Sequence, residues 1–167
     1  MQSRDRYRIA LLSAYALALH GFEAVVPSPV PWLRLGLANI VTLVTLPLYG
    51  MKAALMVTGV RVLLGSLFLG TFLGPAFFLS LSGGMAGTLA MGATAALFPR
   101  LFSTLGISLV GSFFHNAAQL LVAYLLFVQR IEGILLVAPI LITAGTVTGA
   151  VNGLVSKYLL AELEKSG

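Results

Sequence analysis

Few side chains in this sequence can do chemistry, and most of those stand singly inside long apolar runs. Arg61 lies midway between Lys52 and Gly70 with no other charge near it. His115, Asn116 and Gln119 fall at i, i+1 and i+4, a single face if that stretch is helical. His20, Glu23, Arg34 and Asn39 complete the set, and Asn152 stands apart towards the C-terminus. These residue types offer charge recognition and hydrogen bonding: a guanidinium donates to anionic or acceptor-rich groups, while amides and imidazoles orient what is held. Bond-making chemistry has little to work with. Asp5 is the sole aspartate, and Glu23, Glu132, Glu162 and Glu164 do not cluster as magnesium ligands for a diphosphate would require. There is no cysteine, two histidines on separate segments make a weak metal site, and no Ser/His/acid constellation is apparent. No GxxxxGK[ST] loop is present, so the chain cannot itself hydrolyse ATP. It is read as a non-enzyme without a cofactor.

The elements that must position these groups follow from composition. Of 167 residues, 59% are hydrophobic and only 9% charged, whereas soluble domains devote about a quarter of their residues to charge. The net charge of +5 comes from basic residues dispersed at the ends of apolar runs, the pattern of membrane anchors and not of a nucleic-acid interface. Apolar segments run over about 9–26, 35–49, 53–73, 75–98, 105–128 and 134–155, which predicts six transmembrane helices in one all-α bundle domain. Pro27, Pro29 and Pro31, then Gly50, Gly74-Pro75 and Pro99, punctuate the breaks. Assigning helix ends alternately to the two sides puts Arg4, Arg6, Arg8, Lys52, Arg100, Lys157 and Lys165 on one side, and Arg34 and Arg130 on the other. The positive-inside rule then predicts both termini in the cytoplasm, in a multi-pass protein of the cell membrane. A signal peptide cut after Ala16-Leu17-Ala18 is the competing reading. It fits less well, because the first run continues to Val26 and five remaining helices would place Lys157 and Lys165 against the charge rule.

With that topology, Arg61 sits about 13 Å from Lys52, near the middle of a hydrocarbon layer of roughly 30 Å. An ionised group there is costly unless it is paired, reaches water or meets a ligand. His20 and Glu23 fall in the outer third, Arg34 at the outer rim with Asn39 below it, and His115, Asn116 and Gln119 near mid-depth. Convergence of these faces predicts a polar cavity on the outer side, floored by Arg61 and roofed by residues 27–34. Simpler roles stand beside this one. Arg61 and Glu23 can neutralise each other as a structural pair, and His115, Asn116 and Gln119 can tie helices together. Arg34 can be a headgroup anchor, Asn39 a cap or bridge, and His20 an interfacial residue.

Small residues form a second pattern. Gly145, Gly149 and Gly153 recur four apart, as do Ala10, Ala14 and Ala18, and Gly83 with Gly87; each presents a flat face that lets backbones approach. A stripe not consumed by internal packing would be a docking surface for another membrane subunit.

Four ordered motifs carry a family resemblance: Arg34-Leu35-Gly36-Leu37-Ala38-Asn39, Arg61-Val62-Leu63-Leu64-Gly65-Ser66, Leu79-Ser80-Leu81-Ser82-Gly83-Gly84 and His115-Asn116-Ala117-Ala118-Gln119-Leu120. Over roughly 9–155 the chain resembles the Gx transporter family, also called heptaprenyl diphosphate synthase component I. That family in turn is similar to the substrate-binding S components of energy-coupling factor (ECF) transporters. The resemblance implies six helices, cytoplasmic termini, an outward-facing pocket, and docking of a T-type transmembrane subunit with its ATPases through Ala10, Ala14 and Ala18. It implies a small-molecule substrate, anionic or amphipathic, with a link to isoprenoid, quinone or flavin metabolism. Arg61, Glu23, Arg34, Asn39, His115, Asn116 and Gln119 are the expected binding residues. The family's second name leaves open a noncatalytic membrane component beside a prenyl synthase catalytic subunit, since the aspartate-rich motifs of such a synthase are absent. A structural subunit of a membrane redox complex is a third reading.

Overall fold

The computed structural model describes residues 3–25 and 38–166, and it is all-helical over them. Five helices follow one another: α1 (Ser3–Val25), α2 (Ala38–Phe68), α3 (Pro75–Leu97), α4 (Thr104–Ala123), which runs on as a π-helical turn over Tyr124–Val128, and α5 (Ile131–Ser166). Among the described residues, four helices are long and apolar enough to cross a bilayer: Ala38–Phe68, Pro75–Leu97, Thr104–Val128 and Ile131–Lys165. The chain is a multi-pass membrane protein. Local chemistry sets several ends. Gly74 caps α3 with Pro75 in its first turn, where the missing N–H costs nothing, and the Ser103 side chain caps α4 by accepting from the Gly106 N–H at 3.3 Å.

Six helices were expected and five continuous elements are seen over the described residues, because the expected spans 35–49 and 53–73 run together as α2. Within α2 the backbone is not helical at Gly50 (φ 80°, ψ 178°), so its two arms are two helices joined across a kink. The interruption folds the helix double. In a straight helix Thr42 and Thr58 would stand about 24 Å apart, yet their hydroxyls are 3.1 Å apart. Arg61 Nη1 likewise donates to Asn39 Oδ1 at 3.1 Å. The two contacts lie symmetrically about Gly50, so the arms 38–49 and 51–68 run antiparallel. Only glycine adopts that positive φ without strain.

The last helix also departs from expectation: it continues past Val155 to Ser166 because its final turns, exposed and carrying a Lys165 to Glu162 ion pair at 3.2 Å, are helical without being apolar. At about 54 Å, α5 exceeds a hydrocarbon layer of roughly 30 Å and must tilt or project.

Each helix packs on the next, and α5 returns to α2 to close a ring. One buried apolar cluster joins α1 to both arms of α2 through Ile9, Ala16, Val41, Ala53 and Val57; a second joins α2 to α3 through Leu43, Leu46, Ala54 and Met91. Between them runs a hydroxyl chain. Thr88 donates to the Gly84 carbonyl at 2.8 Å, Thr58 bonds Thr88 at 3.0 Å, and Thr42 bonds Thr58. Because the Thr88 proton is committed to its own helix, the other two hydroxyls must donate in sequence towards it. Thr58→Val is therefore expected to cost about 1–2 kcal/mol, read as a lower melting temperature in detergent, with Thr45→Val as a control that breaks no link of the chain.

The glycine stripes are spent on internal seams. A side chain at Gly145 would overlap Asn116 Nδ2, one at Gly149 would overlap Ser112 Oγ, and one at Gly153 would come within 2.7 Å of the Leu105 Cα. These glycines hold α5 against α4. Ala10, Ala14 and Ala18 are different: all three are exposed on α1, facing away from the bundle.

Candidate functional site

A cavity of about 790 Å³ occupies the centre of the ring. Both arms of α2 contribute to it, Asn39 from one and Arg61 from the other; α1 adds His20, α3 adds Gly84 and Thr88, α4 adds His115, Asn116 and Gln119, and α5 adds Asn152. Along α3 the lining extends from Pro75 to Met91, about 24 Å of helix.

Arg61 is buried, with 5% of its surface accessible. Its guanidinium lies over α3, where Gly84 leaves room; a Cβ there would stand 3.4 Å from Arg61 Nη2 and 2.9 Å from Thr58 Cγ2. The Asn39 carboxamide holds one nitrogen of the fork, and Arg61 is close enough to His115 to act on it electrostatically. His115 in turn lies against Gly83 and Gly87, whose missing side chains admit the imidazole. Gln119 packs beside it, its Cγ 2.8 Å from the place of a Gly83 Cβ. The four glycines 83, 84, 87 and 111 thus let two polar side chains and two helix backbones meet where larger residues would keep them apart.

Arg61, Asn39, His115, Asn116 and Gln119 are brought together on one cavity wall system. Asn116 has a structural tie as well, donating from Nδ2 to the Leu141 carbonyl of α5 at 2.8 Å. Glu23 belongs to the last turn of α1, but its side chain lies outside the described residues, as do Arg34 and the expected roof over 27–34. The Arg61 to Glu23 pair therefore falls outside the described residues too.

Two lining residues were missed. His20, expected at the interface, is 7% exposed and packs on α2 at Gly65, where a Cβ would come within 2.6 Å of its Cδ2. Asn152, placed far from the pocket by depth along its helix, is 4% exposed and lines the same cavity. Ser156, one turn further on, bonds the Ile40 carbonyl at 3.4 Å, so this part of α5 meets the start of α2. A missing side chain opposite a polar one, as Gly65 lies opposite His20, was the available signal. Among the described residues no group of three or more His, Cys, Asp or Glu side chains is placed to hold a metal ion.

This arrangement, helices ringed about a central cavity with one guanidinium in it, defines a class: the polytopic α-helical membrane proteins with the fold of an S component. Over 98% of both chains it is similar, with a TM-score of 0.75 and 21% identity, to a solved structure described as the S component of a bacterial ECF transporter. The heptaprenyl diphosphate synthase component I family matches residues 12–159, and the chain belongs to that family. No curated protein matches it.

Proposed function

We propose that this chain is the substrate-binding membrane subunit of an ECF-like transporter and takes up a small anionic or amphipathic solute. One observation supports the reading: side chains from separate helices line, together with Arg61, a cavity of about 790 Å³, within the size range of small-molecule sites. Arg61 and Arg34 counter negative charge or serve acceptors on the solute; Asn39, Glu23, His115, Asn116 and Gln119 orient it. Its metabolic setting is isoprenoid, quinone or flavin chemistry, as the family resemblance implies. The protein resides in the cell membrane with both termini in the cytoplasm, the two arms of α2 each crossing the bilayer to give six crossings. It carries out no catalysis, and inward release is driven by a T-type subunit and its ATPases.

The exposed stripe Ala10, Ala14 and Ala18 is the docking face for that T-type subunit. Ala14→Trp is expected to reduce co-purification of the partner about tenfold while leaving the melting temperature of the isolated chain unchanged. Purification in mild detergent tests the whole reading. Recovery of a T-type membrane protein with two ATPases supports it. Recovery instead of a soluble aspartate-rich prenyl synthase, whose product length this chain alters, would favour the noncatalytic component that the family's description names.

A further inference from the structure

The hydrogen-bonding side chains of the cavity fall into two sets. In the part away from Pro75 they are spent on the protein: Thr88, Ser108, Ser112 and Thr148 each donate to a backbone carbonyl, and Asn116 gives Nδ2 to the Leu141 carbonyl. Gln119 and Ser80 line the same cavity, are part-exposed, and have no hydrogen-bond partner among the described residues. A serine in an apolar helix ordinarily donates to a carbonyl of its own preceding turn. Ser82 does so, to Leu79, and Ser80 does not. Gly83 relates the two positions: Gln119 Cγ is 2.8 Å from the place of its Cβ, and Ser80 precedes it by one turn on the same face, about 5–6 Å away. The walls around them, towards Pro75, are apolar, built from Leu79, Leu120, Phe127, Ile134 and Val137.

We propose that Gln119, with Ser80 on the facing helix, sets the specificity of this cavity by holding a hydroxyl or amide carried on the apolar body of the solute. This rests on the reading of the cavity as the substrate site and adds a requirement to it. A carboxamide has two N–H donors and a carbonyl acceptor, and a hydroxyl has one donor and two acceptor lone pairs. A solute group that both donates and accepts meets the two side chains at once. An ether meets only their donors. A hydrocarbon meets neither, and it displaces the water that would otherwise solvate them. A site built to hydrogen-bond an O–H or N–H rejects molecules lacking that group far more strongly than it rejects a change of one methyl.

The test uses the full chain in lipid nanodiscs and three probes on one ring system: naphthol, its methyl ether, which has lost the donor, and methylnaphthalene, which has neither function. Binding is the saturable part above empty nanodiscs of the same lipid. Naphthol is expected to bind at least about tenfold more tightly than methylnaphthalene, with the ether between them. In the double variant Gln119→Met with Ser80→Ala, which keeps most of the volume, that preference should fall to near unity. Equal binding of naphthol and methylnaphthalene by wild type, or a preference that survives in the double variant, would overturn the inference and leave the substrate-site reading standing. Should the double variant not fold, Ser80→Ala alone decides: a preference reduced about threefold supports the inference, and an unchanged one overturns it. If no probe binds, molecules released from the natively purified protein decide: one bearing a hydroxyl or amide on an apolar body supports the inference, one without it overturns it, and release of none overturns both readings.

Discussion

Arg61→Met is expected to abolish solute retention without unfolding the protein. The substitution keeps most of the side-chain volume and removes the charge from a residue that is 5% exposed. A charge-assisted hydrogen bond to a ligand in a buried site contributes about 2–3 kcal/mol, so affinity should fall by roughly a hundredfold. Stability should respond in the opposite sense or not at all. The substitution gives up the hydrogen bond to Asn39, while the desolvation cost of a guanidinium inside an apolar bundle disappears. Mass spectrometry of molecules released from the purified variant, with a melting curve in the same detergent, measures both quantities. Unchanged retention would end the binding proposal. A collapse of the melting temperature would instead mean that Arg61 holds the helices together.

Gly87→Val is expected to have the largest effect on the fold. At this point α3 and α4 meet backbone to backbone: a Cβ on Gly87 would lie 2.9 Å from the Gly111 carbonyl oxygen and 3.3 Å from the His115 Cβ. A flexible side chain could swing aside, but a carbonyl inside a helix cannot, so the helices must separate. Overpacking of this kind costs about 1–3 kcal/mol, and the shift carries His115 with it. Valine should therefore lower both the melting temperature and solute retention, with alanine intermediate. Gly59 supplies the contrast, since a Cβ there meets nothing within 4 Å. Gly59→Ala should be neutral or slightly stabilising, because alanine favours the helix.

The difference between these two glycines also shows what the sequence discloses. Arg61, Asn39, His115 and Gln119 could be picked out because polar groups are costly in lipid, so each demands a reason. Bringing them together required only that the costs be shared in one place. The hydroxyls could not be picked out in this way. Thr45, Thr88 and Ser112 each donate to a carbonyl four residues earlier in the same helix, which makes them inexpensive in an apolar run and leaves no pattern to read. Asn152 was misplaced because depth counted along one helix takes no account of how α5 crosses its neighbours, and the contact from Ser156 to Ile40 spans 116 positions of sequence. Gly50 was read as the break between two spans of opposite direction, and two pairs of side chains equidistant from it, Thr42 with Thr58 and Asn39 with Arg61, show the chain doubling back there.

That symmetry makes α2 a zipper with its closed end at Gly50. The Thr42 to Thr58 rung lies eight residues from the closed end and the Asn39 to Arg61 rung eleven. Opening the arms by about 5° would part the first by ~1.0 Å and the second by ~1.4 Å, taking 1.5 Å per residue. Any breathing of this pair is thus felt more at the Asn39 to Arg61 rung than at the Thr42 to Thr58 rung, so the guanidinium is the first of the two contacts to let go.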